Sequence, residues 1–245
     1  MRHIVSLNRV NHGANFQAYV LRTAGQTLSP ILGIDHAWMS GPTFPPHSHV
    51  GFSAVSYLFL DSETGIANED STGTKNLIQP GGIHWASAGS GIVHEEVPAE
   101  PGKTVHMLQI FVDLPHEHKT AAPFALTLAP QNIPVVELPG VTVRVPVGAF
   151  GDVRSPLMPP TPVTMLEMTM VEDAAMELPI PAGETLFVMP IAGSLDVNGE
   201  SYDLDGLKLP VFSAEDSPRA LSLRSPKGAA KAMVFIGAPL SITPA

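Results

Sequence analysis

Two short polar runs carry the side chains best suited to bind a metal ion. The first is a His-x-His pair, His47 and His49, and the second is a His-x-Glu pair, His94 and Glu96. Side chains two positions apart point to the same side of a β-strand. If both runs are strands on opposed walls of a small barrel, three imidazoles and one carboxylate converge on one point. This is a ligand set for a single divalent metal ion.

The ligand types narrow the choice of metal. Neutral imidazole and carboxylate suit iron, manganese, nickel, copper and zinc. Thiolate ligands are excluded because the chain has no cysteine, and structural zinc sites are more often closed, tetrahedral and cysteine-containing. We therefore expect Fe(II) in an open octahedral site, with Mn, Ni, Cu or Zn as alternatives. Four protein ligands would leave two positions for substrate and dioxygen.

The remaining histidines are weaker candidates. A single His-x-His pair beside proline turns is more typical of surface or hydrogen-bonded core histidines, so only the combination of the two spaced pairs favours a metal site. We expect neither His84 nor His106 to be a ligand, whereas His106, Trp85 and Phe52 are candidates for the wall of the pocket. All ten histidines lie at or before His118, so only the first half can carry a histidine metal site.

Proline and glycine content indicates the class of fold. The 25 prolines and 21 glycines are scattered along the chain, and long helices tolerate neither residue in their interior. Short strands separated by turns tolerate both, so we predict an all-β protein. Runs rich in β-branched and aromatic residues predict strands at 16–22, 31–39, 50–60, 105–114, 135–147 and 163–171.

The second half of the chain weakly repeats the sequence features of the first. The proline- and glycine-containing segment 178–183 precedes the apolar residues 186–191, as segment 44–51 precedes an apolar run of its own. Residues 115–134 are polar and proline-spaced, which is typical of a linker. We therefore predict two tandem barrels of similar plan, a metal-binding N-terminal domain and a C-terminal domain without a metal site, at 1–134 and 135–245.

Charge and hydropathy exclude several classes of partner. The formal net charge is −10 and no basic stretch could contact phosphates, so we expect no direct binding to nucleic acid or to anionic membranes. No run approaches the roughly 18 uninterrupted apolar residues of a membrane-spanning helix. The N-terminus lacks the apolar run and small-residue cleavage site of a signal peptide. The absence of cysteine is compatible with a reducing compartment, and we expect a cytoplasmic protein.

Several further motifs are shared with one known family. The chain resembles the pirin family of two-domain cupins at 47–52, 57–58, 80–81, Trp85, 88–92, 94–96, 109–115, 177–183 and 198–199. The resemblance implies a bicupin, that is, two tandem jelly-roll-type β-barrels. It also implies that the N-terminal barrel binds a metal, typically iron, through His47, His49, His94 and Glu96, and that the C-terminal barrel has lost its site.

The resemblance implies two alternatives for the activity. The first is a quercetin 2,3-dioxygenase-like oxidoreductase that acts on a flavonol and dioxygen, with Glu96 as the general base for the flavonol hydroxyl. The second is a non-catalytic, redox-sensitive regulatory module that binds a protein partner, which the acidic charge favours over DNA. Ser90, Ser53 and Asn68 stand where pirins commonly have Arg, Glu and His. These departures alter the rim and polarity of the pocket rather than its ligands.

Overall fold

The computed structural model describes residues 1–22 and 27–240, which form an almost entirely β-structured protein. The strands of the first half are β1 (Arg2–Ser6), β2 (Asn8–His12), β3 (Phe16–Arg22), β4 (Ile31–Met39), β5 (His47–His49), β6 (Phe52–Leu58), β7 (Ile66–Asp70), β8 (Lys75–Ile78), β9 (Ile83–Ser87), β10 (Ile92–Pro98), β11 (Val105–Asp113) and β12 (Phe124–Leu128). The bounds of β3 and β4 are those predicted from the sequence, and β6 and β11 lie within their predicted ranges.

The second half is built in the same way. Its strands are β13 (Val135–Leu138), β14 (Val141–Val147), β15 (Ala149–Phe150), β16 (Val153–Arg154), β17 (Thr164–Met170), β18 (Ala175–Ile180), β19 (Thr185–Ala192), β20 (Leu195–Val197), β21 (Glu200–Tyr202), β22 (Lys208–Phe212), β23 (Arg219–Arg224) and β24 (Ala230–Gly237). Single-turn 3₁₀ helices lie at His116–His118 and Pro130–Asn132. In the part of the chain that the structure describes, no helix is long and apolar enough to cross a bilayer.

Each half contains a pair of antiparallel sheets with the same strand order, and the second half has in addition the two-stranded sheet β15-β16. In the first half a seven-stranded sheet runs β12-β9-β6-β11-β4-β3-β2, and a four-stranded sheet runs β5-β10-β7-β8. In the second half the corresponding sheets run β1-β22-β19-β24-β17-β14-β13 and β18-β23-β20-β21. The two orders match position by position, with β1 taking the place of β12. The predicted repeat of architecture is therefore confirmed.

The two seven-stranded sheets pack against each other and share one hydrophobic core. Tyr57, Trp85 and Ile110 of the first sheet lie in this core with Phe187 and Met233 of the second, all almost fully buried. The opposite face of each sheet covers the interior of its own half. Because both faces of β11 are covered, this strand is apolar on both sides, as its sequence indicated.

Each half consists of two facing sheets, which agrees with the predicted jelly-roll-type cupin fold, but the sheets do not close into a barrel. The chain passes from the four-stranded to the seven-stranded sheet at Gly51, and it returns through a turn at Gly89. Both residues have positive φ, +77° and +49°, which glycine adopts without steric cost. The Gly51 amide donates a hydrogen bond to the Gly89 carbonyl at 2.8 Å. These corners interrupt the strand ladders, so the sheets of one half face each other without closing.

Two segments differ from the sequence prediction. The predicted linker 115–134 contains β12, which pairs with β9 along its length and buries Leu128. The strands β1 and β2 were not predicted, because most of their residues are exposed and they lack an apolar face. The N-terminal strand β1 pairs with β22 and so completes the sheet of the second half.

Candidate metal centre

Three histidines meet between the two sheets of the first half. On the four-stranded sheet, β5 and β10 are antiparallel neighbours in which His94 stands opposite His47 and Ile92 stands opposite His49. The ring centroids of His47, His49 and His94 lie 4.7 or 4.8 Å apart in all three pairs. One ligand atom from each ring lies within 4.8 Å of the others. The spacing read from the sequence thus brings these three imidazoles together.

The surroundings keep two of the three imidazoles, those of His49 and His94, neutral. Burial, together with repulsion from the neighbouring imidazoles, lowers the pKa of His49 to about 4 and that of His94 to about 3. Asp70 stands opposite His94 in the β7–β10 ladder, and its negative charge partly offsets these effects by raising the pKa of His94. His47 is exposed, and its Nδ1 lies 3.1 Å from the Pro45 carbonyl oxygen. Donation of Nδ1–H to that carbonyl leaves Nε2 free as a metal ligand.

The donor set fits a bound metal ion. The Nε2 atoms of His49 and His94 lie 2.9 Å apart. Two nitrogens that each bind one ion at about 2.1 Å, at right angles, would be separated by about 3 Å. One nitrogen of His47 lies within 4.8 Å of this pair, so the three imidazoles surround one possible ion position. The group matches the chemistry expected for a first-row divalent metal.

Glu96 lies beside the histidines but outside their cluster. The Ser56 hydroxyl on the seven-stranded sheet is 2.8 Å from both Glu96 carboxylate oxygens. The Gln109 Oε1 atom is 3.1 Å from the same hydroxyl, and the Gln109 amide donates weakly to the Val55 carbonyl at 3.4 Å. Burial raises the pKa of Glu96 to about 7, and the Ser56 hydrogen bond opposes this shift. The carboxyl group is therefore poised to exchange a proton near neutral pH.

A cavity of about 260 Å³ opens in front of the three histidines. Its walls come from both sheets and from the segment before β5. Half of the lining residues are apolar, and Asp35 and Gln109 are polar groups in addition to the three histidines and Glu96. The lining residues are Phe16, Asp35, Ala37, Met39, Phe44, His47, His49, His94, Glu96, Met107, Gln109 and Phe111. The four predicted metal ligands, His47, His49, His94 and Glu96, therefore share one cavity.

Two residues proposed for the pocket wall from the sequence, His106 and Trp85, lie elsewhere. Both project from the opposite face of the seven-stranded sheet, because their positions alternate with those that face the cavity. His106 Nε2 lies 2.7 Å from His36 Nε2, and His106 Nδ1 lies 2.9 Å from Asp61 Oδ1. Trp85 is fully buried in the core between the two halves. Their assignment to the pocket is corrected accordingly.

Phe52 and His84 occupy supporting positions. The Phe52 ring packs edge-on against His49 at 5.2 Å and against Phe111 at 5.7 Å, so it supports the site from behind. His84 is buried, with Nδ1 2.9 Å from Thr127 Oγ1 and Nε2 3.4 Å from the Asn68 amide nitrogen. His84 lies outside the three-histidine cluster, as expected.

Sequence reasoning missed several residues of the cavity. Ser56 and Gln109 were not singled out, although both alternate with core residues on their strands at the spacing that faces the site. The signal that identifies them is the register between β6 and β11, in which Ser56 stands opposite Gln109. Phe44 and Asp35 were missed for the same reason, because a cavity wall depends on pairing between distant strands.

Comparisons with known proteins agree with these features. The sequence model of the family described as Pirin matches residues 10–112. Pirin-1 of Arabidopsis thaliana is 30% identical over 197 residues, which cover 80% of this chain and 67% of that protein. Pirin of Mus musculus is 34% identical over 184 residues, which cover 75% of this chain and 62% of that protein. For two further curated relatives the match covers 59% and 66% of their length, so the chain spans less than two thirds of those proteins.

A solved structure extends the similarity to both halves. Quercetin 2,3-dioxygenase from Acinetobacter baumannii matches with a TM-score of 0.84 and 26% identity, over 98% of this chain and 86% of that chain. The region matched by the family model contains the three histidines and Glu96. With the paired-sheet fold and the histidine cluster, these similarities show that the chain belongs to the pirin family.

Proposed function

We propose that this protein is an iron-dependent dioxygenase that acts on a flavonol such as quercetin. The observation that carries the proposal is the meeting of three imidazoles and a carboxyl group of raised pKa on the walls of one largely apolar cavity. The name of the Acinetobacter baumannii protein, a quercetin 2,3-dioxygenase of similar fold, supports the choice of substrate class.

His47, His49 and His94 would hold the metal, and Glu96, which lines the same cavity, would join them as a fourth ligand when its side chain turns from Ser56. Because burial keeps His49 and His94 neutral, both can bind a cation without first releasing a proton at neutral pH. When bound, the metal would supply Lewis-acid polarisation of the substrate oxygen and access to dioxygen chemistry.

Glu96 would accept the proton of the flavonol hydroxyl. A general base is most effective when its pKa is near the working pH, and burial gives Glu96 a pKa of about 7. The Ser56 hydroxyl donates to the carboxylate while Glu96 is ionised. Once Glu96 carries the proton, Ser56 can donate to Gln109 Oε1 instead and accept from the Glu96 carboxyl. Ser56 and Gln109 together therefore provide hydrogen-bond partners for Glu96 in both its ionised and its protonated state.

The remaining walls would hold the aromatic rings and exclude water. Phe16 and Phe44 meet edge to face at 5.2 Å, and Phe44 packs against His47 at the mouth of the cavity. Met39, Met107 and Phe111 line its interior. Aromatic and thioether side chains give a planar phenolic substrate close contacts without competing for its hydroxyl groups.

The test combines metal analysis with turnover. Protein purified without chelators under low oxygen is compared with His94→Ala, Glu96→Gln and Glu95→Gln by elemental analysis and by oxygen uptake with quercetin. We expect about one iron per chain, lost in His94→Ala. In Glu96→Gln we expect retained iron and turnover lower by about 100-fold or more, the range for a general base. Glu95 lies outside the lining of the cavity and provides the matched control.

The outcomes separate the two alternatives inferred from the sequence. Iron retention with no turnover of any flavonol would contradict the dioxygenase proposal and support a metal-dependent regulatory module that binds a protein partner. An absence of metal after reconstitution with Fe(II), Mn, Ni, Cu and Zn would contradict both.

A further inference from the structure

One buried carboxylate beside the metal centre has no part in the proposed chemistry, that of Asp70. Asp70 ends β7 and stands directly opposite His94 in the β7–β10 ladder. Opposed side chains of an antiparallel pair lie next to each other on one face of the sheet, with their Cβ atoms about 5 Å apart. Asp70 is 7% exposed and His94 is 3% exposed. Burial of an ionised group costs free energy unless the group is hydrogen-bonded, so the bonds of this carboxylate indicate its role.

The turn that follows β7 uses only one of the two Asp70 oxygens. Oδ1 accepts hydrogen bonds from the Thr72 amide at 2.8 Å, from the Thr72 hydroxyl at 2.5 Å and from the Thr74 amide at 3.2 Å. Oδ2 is buried, and no described residue donates to it. Buried acceptors in proteins almost always have a donor. The turn therefore accounts for Oδ1 and leaves Oδ2 for a different donor within the protein.

The Nδ1 atom of His94 is also buried, and it has no hydrogen-bond partner among the described residues. The Nε2 atoms of His94 and His49 lie 2.9 Å apart. Without a metal ion, two such atoms can share one proton in a hydrogen bond. A metal ion needs the lone pair of each Nε2, so each ligating ring must then carry its proton on Nδ1. A bound ion therefore makes His94 Nδ1 a donor, and the residue directly opposite has an unpaired acceptor.

The turn holds the Asp70 carboxylate in a fixed position relative to His94. The Ser71 amide donates to the Val93 carbonyl at 2.8 Å, and the Val93 amide donates to the Ser71 hydroxyl at 3.0 Å. These two bonds join the residue that follows Asp70 to the residue that precedes His94. Because three donors of the turn hold Oδ1, the carboxylate cannot rotate without breaking them. Oδ2 is therefore oriented before any ion binds.

Asn68 is the alternative acceptor on the same strand. Its Oδ1 is also buried and has no donor among the described residues, and it lies two positions from Asp70 on the same face of β7. Asn68 stands opposite Glu96 rather than His94. An ionised carboxylate is also a stronger acceptor than an amide oxygen. The register and the charge therefore both favour Asp70 as the partner of His94.

We propose that Asp70 is a positioning residue of the metal centre, whose Oδ2 accepts a hydrogen bond from His94 Nδ1–H when a metal ion is bound at His94 Nε2. This bond fixes the tautomer and the orientation of the ring, and it makes Nε2 a more basic ligand. The inference rests on the three-histidine centre of the proposed function. It concerns how tightly the ion is held, and it is independent of the substrate and of the reaction.

The first measurement is the affinity of the full chain for Zn(II), a redox-inert and diamagnetic probe, by competition with a chromophoric chelator. In Asp70→Asn the amide oxygen can still accept the bonds of the turn, but an NH2 group takes the place of Oδ2. We expect this variant to bind Zn(II) about 10- to 100-fold more weakly than wild type, the range for loss of such a partner. Glu69→Gln removes one negative charge from the neighbouring residue, which is exposed, and should keep the wild-type affinity.

Nitrogen NMR of the histidine rings separates a hydrogen bond from an effect of charge. In Zn(II)-loaded wild type we expect His94 to carry its proton on Nδ1, and this proton to exchange slowly with solvent. We expect the slowly exchanging signal to be lost in Asp70→Asn. Thr72→Ala removes one donor to Asp70 Oδ1 and leaves Oδ2 in place, so it should keep the signal.

The outcomes distinguish this inference from the proposed function. An unchanged His94 signal in Asp70→Asn would overturn the inference, whether or not the affinity falls, because Asp70 would then act only through its charge or through the turn. If that variant does not fold, the wild-type spectrum decides: zinc bound through His94 Nδ1, or rapid exchange of the Nδ1 proton, would overturn the inference. Both results leave the dioxygenase proposal standing. The expected affinities and signals in a protein that turns over no flavonol would contradict only the dioxygenase proposal, and a wild type that binds no Zn(II) would contradict both.

Discussion

The two halves of the molecule share a sheet plan but differ in the side chains placed inside it. In the first half the neighbours β5 and β10 present His47, His49 and His94 to the interior. In the second half the corresponding strands β18 and β23 present Leu178, Ile180, Leu221 and Leu223, all almost fully buried. The same pair of strands therefore forms a polar site in one half and an aliphatic core in the other.

The comparison shows that the fold forms a cavity in both halves, whereas the residues at a few positions decide whether that cavity can bind a metal. The second half has a cavity of about 560 Å³, larger than the one in front of the histidines. Leu166, Leu178 and Ile236 line it from β17, β18 and β24, the counterparts of β4, β5 and β11. A cavity is thus present in both halves, and among the described residues only the cavity of the first half contains a group of three possible metal ligands.

The largest effect is expected where the halves meet. Glu167, on β17 of the second sheet, is almost fully buried, accepts a hydrogen bond from Tyr57 of the first, and lies 3.4 Å from Arg144 and 3.5 Å from Lys231. Glu167→Gln would leave two cations beside an uncharged group, which costs about 3–5 kcal/mol for a buried pair. Urea unfolding of the metal-free protein measures this loss in the free energy of unfolding.

An exposed ion pair provides the control for Glu167. Glu69 forms a surface pair with Lys75 at 2.7 Å, and Glu69→Gln should cost less than about 1 kcal/mol. If Glu167→Gln and Glu69→Gln lost similar free energies of unfolding, the buried ion pairs of Glu167 would not join the halves. Each half would then have to be treated as an independent unit.

The next prediction contrasts the two counterpart strands directly. Leu221→Ala on β23 removes a fully buried side chain, and we expect a loss of about 2–5 kcal/mol in the free energy of unfolding with the metal content unchanged. His94→Ala on β10 should abolish metal binding. In the metal-loaded state it should also lose the stabilisation that metal gives wild type, about 3–4 kcal/mol for an ion at 100 to 1,000 times its dissociation constant.

Thermal unfolding with and without a chelator, together with elemental analysis, separates the two effects. The chelator should lower the melting temperature of wild type and of Leu221→Ala, and leave that of His94→Ala unchanged. Loss of metal in Leu221→Ala would contradict the division of roles between the halves.

The sequence alone predicted what depends on local spacing. His47, His49, His94 and Glu96 were found because period-2 spacing on a strand determines which side chains share a face. The placement of His106 and Trp85 was wrong, because spacing within one strand cannot say which face of a doubly covered sheet meets the cavity. Asp35, Ser56 and Gln109 were missed because their proximity arises from the register between β4, β11 and β6. The pairing of β1 with β22 joins residues from opposite ends of the chain, and no local pattern encodes it.

The smallest predicted effect is the loss of stability in acid, which we expect to arise from the histidines of the first half. His36 is fully buried between the two seven-stranded sheets, where burial, together with electrostatic repulsion from His106 and Lys231, lowers its pKa to about 3. In the unfolded chain a histidine titrates near 6.5. Below about pH 6.5 the unfolded state therefore binds a proton that the folded state does not. As the pH is lowered below about 6.5, His36 therefore reduces the free energy of unfolding by about 1.4 kcal/mol per pH unit. Above about pH 6.5, His36 adds nothing to the pH dependence of stability.

Replacing His36 tests this account within the same fold. His36→Gln keeps an amide that can hydrogen-bond His106 and removes the titrating group, so between pH 6 and pH 4.5 its stability should fall less steeply than that of wild type, by about 1.4 kcal/mol per pH unit. Urea unfolding of the metal-free protein at several pH values gives both slopes. His3, exposed on the strand β1 that completes the second half's sheet, provides the control, and His3→Gln should leave the slope unchanged. Equal slopes in wild type and His36→Gln would mean that acid instability arises elsewhere, and that the contrast in histidine content between the halves has no bearing on how the protein unfolds in acid.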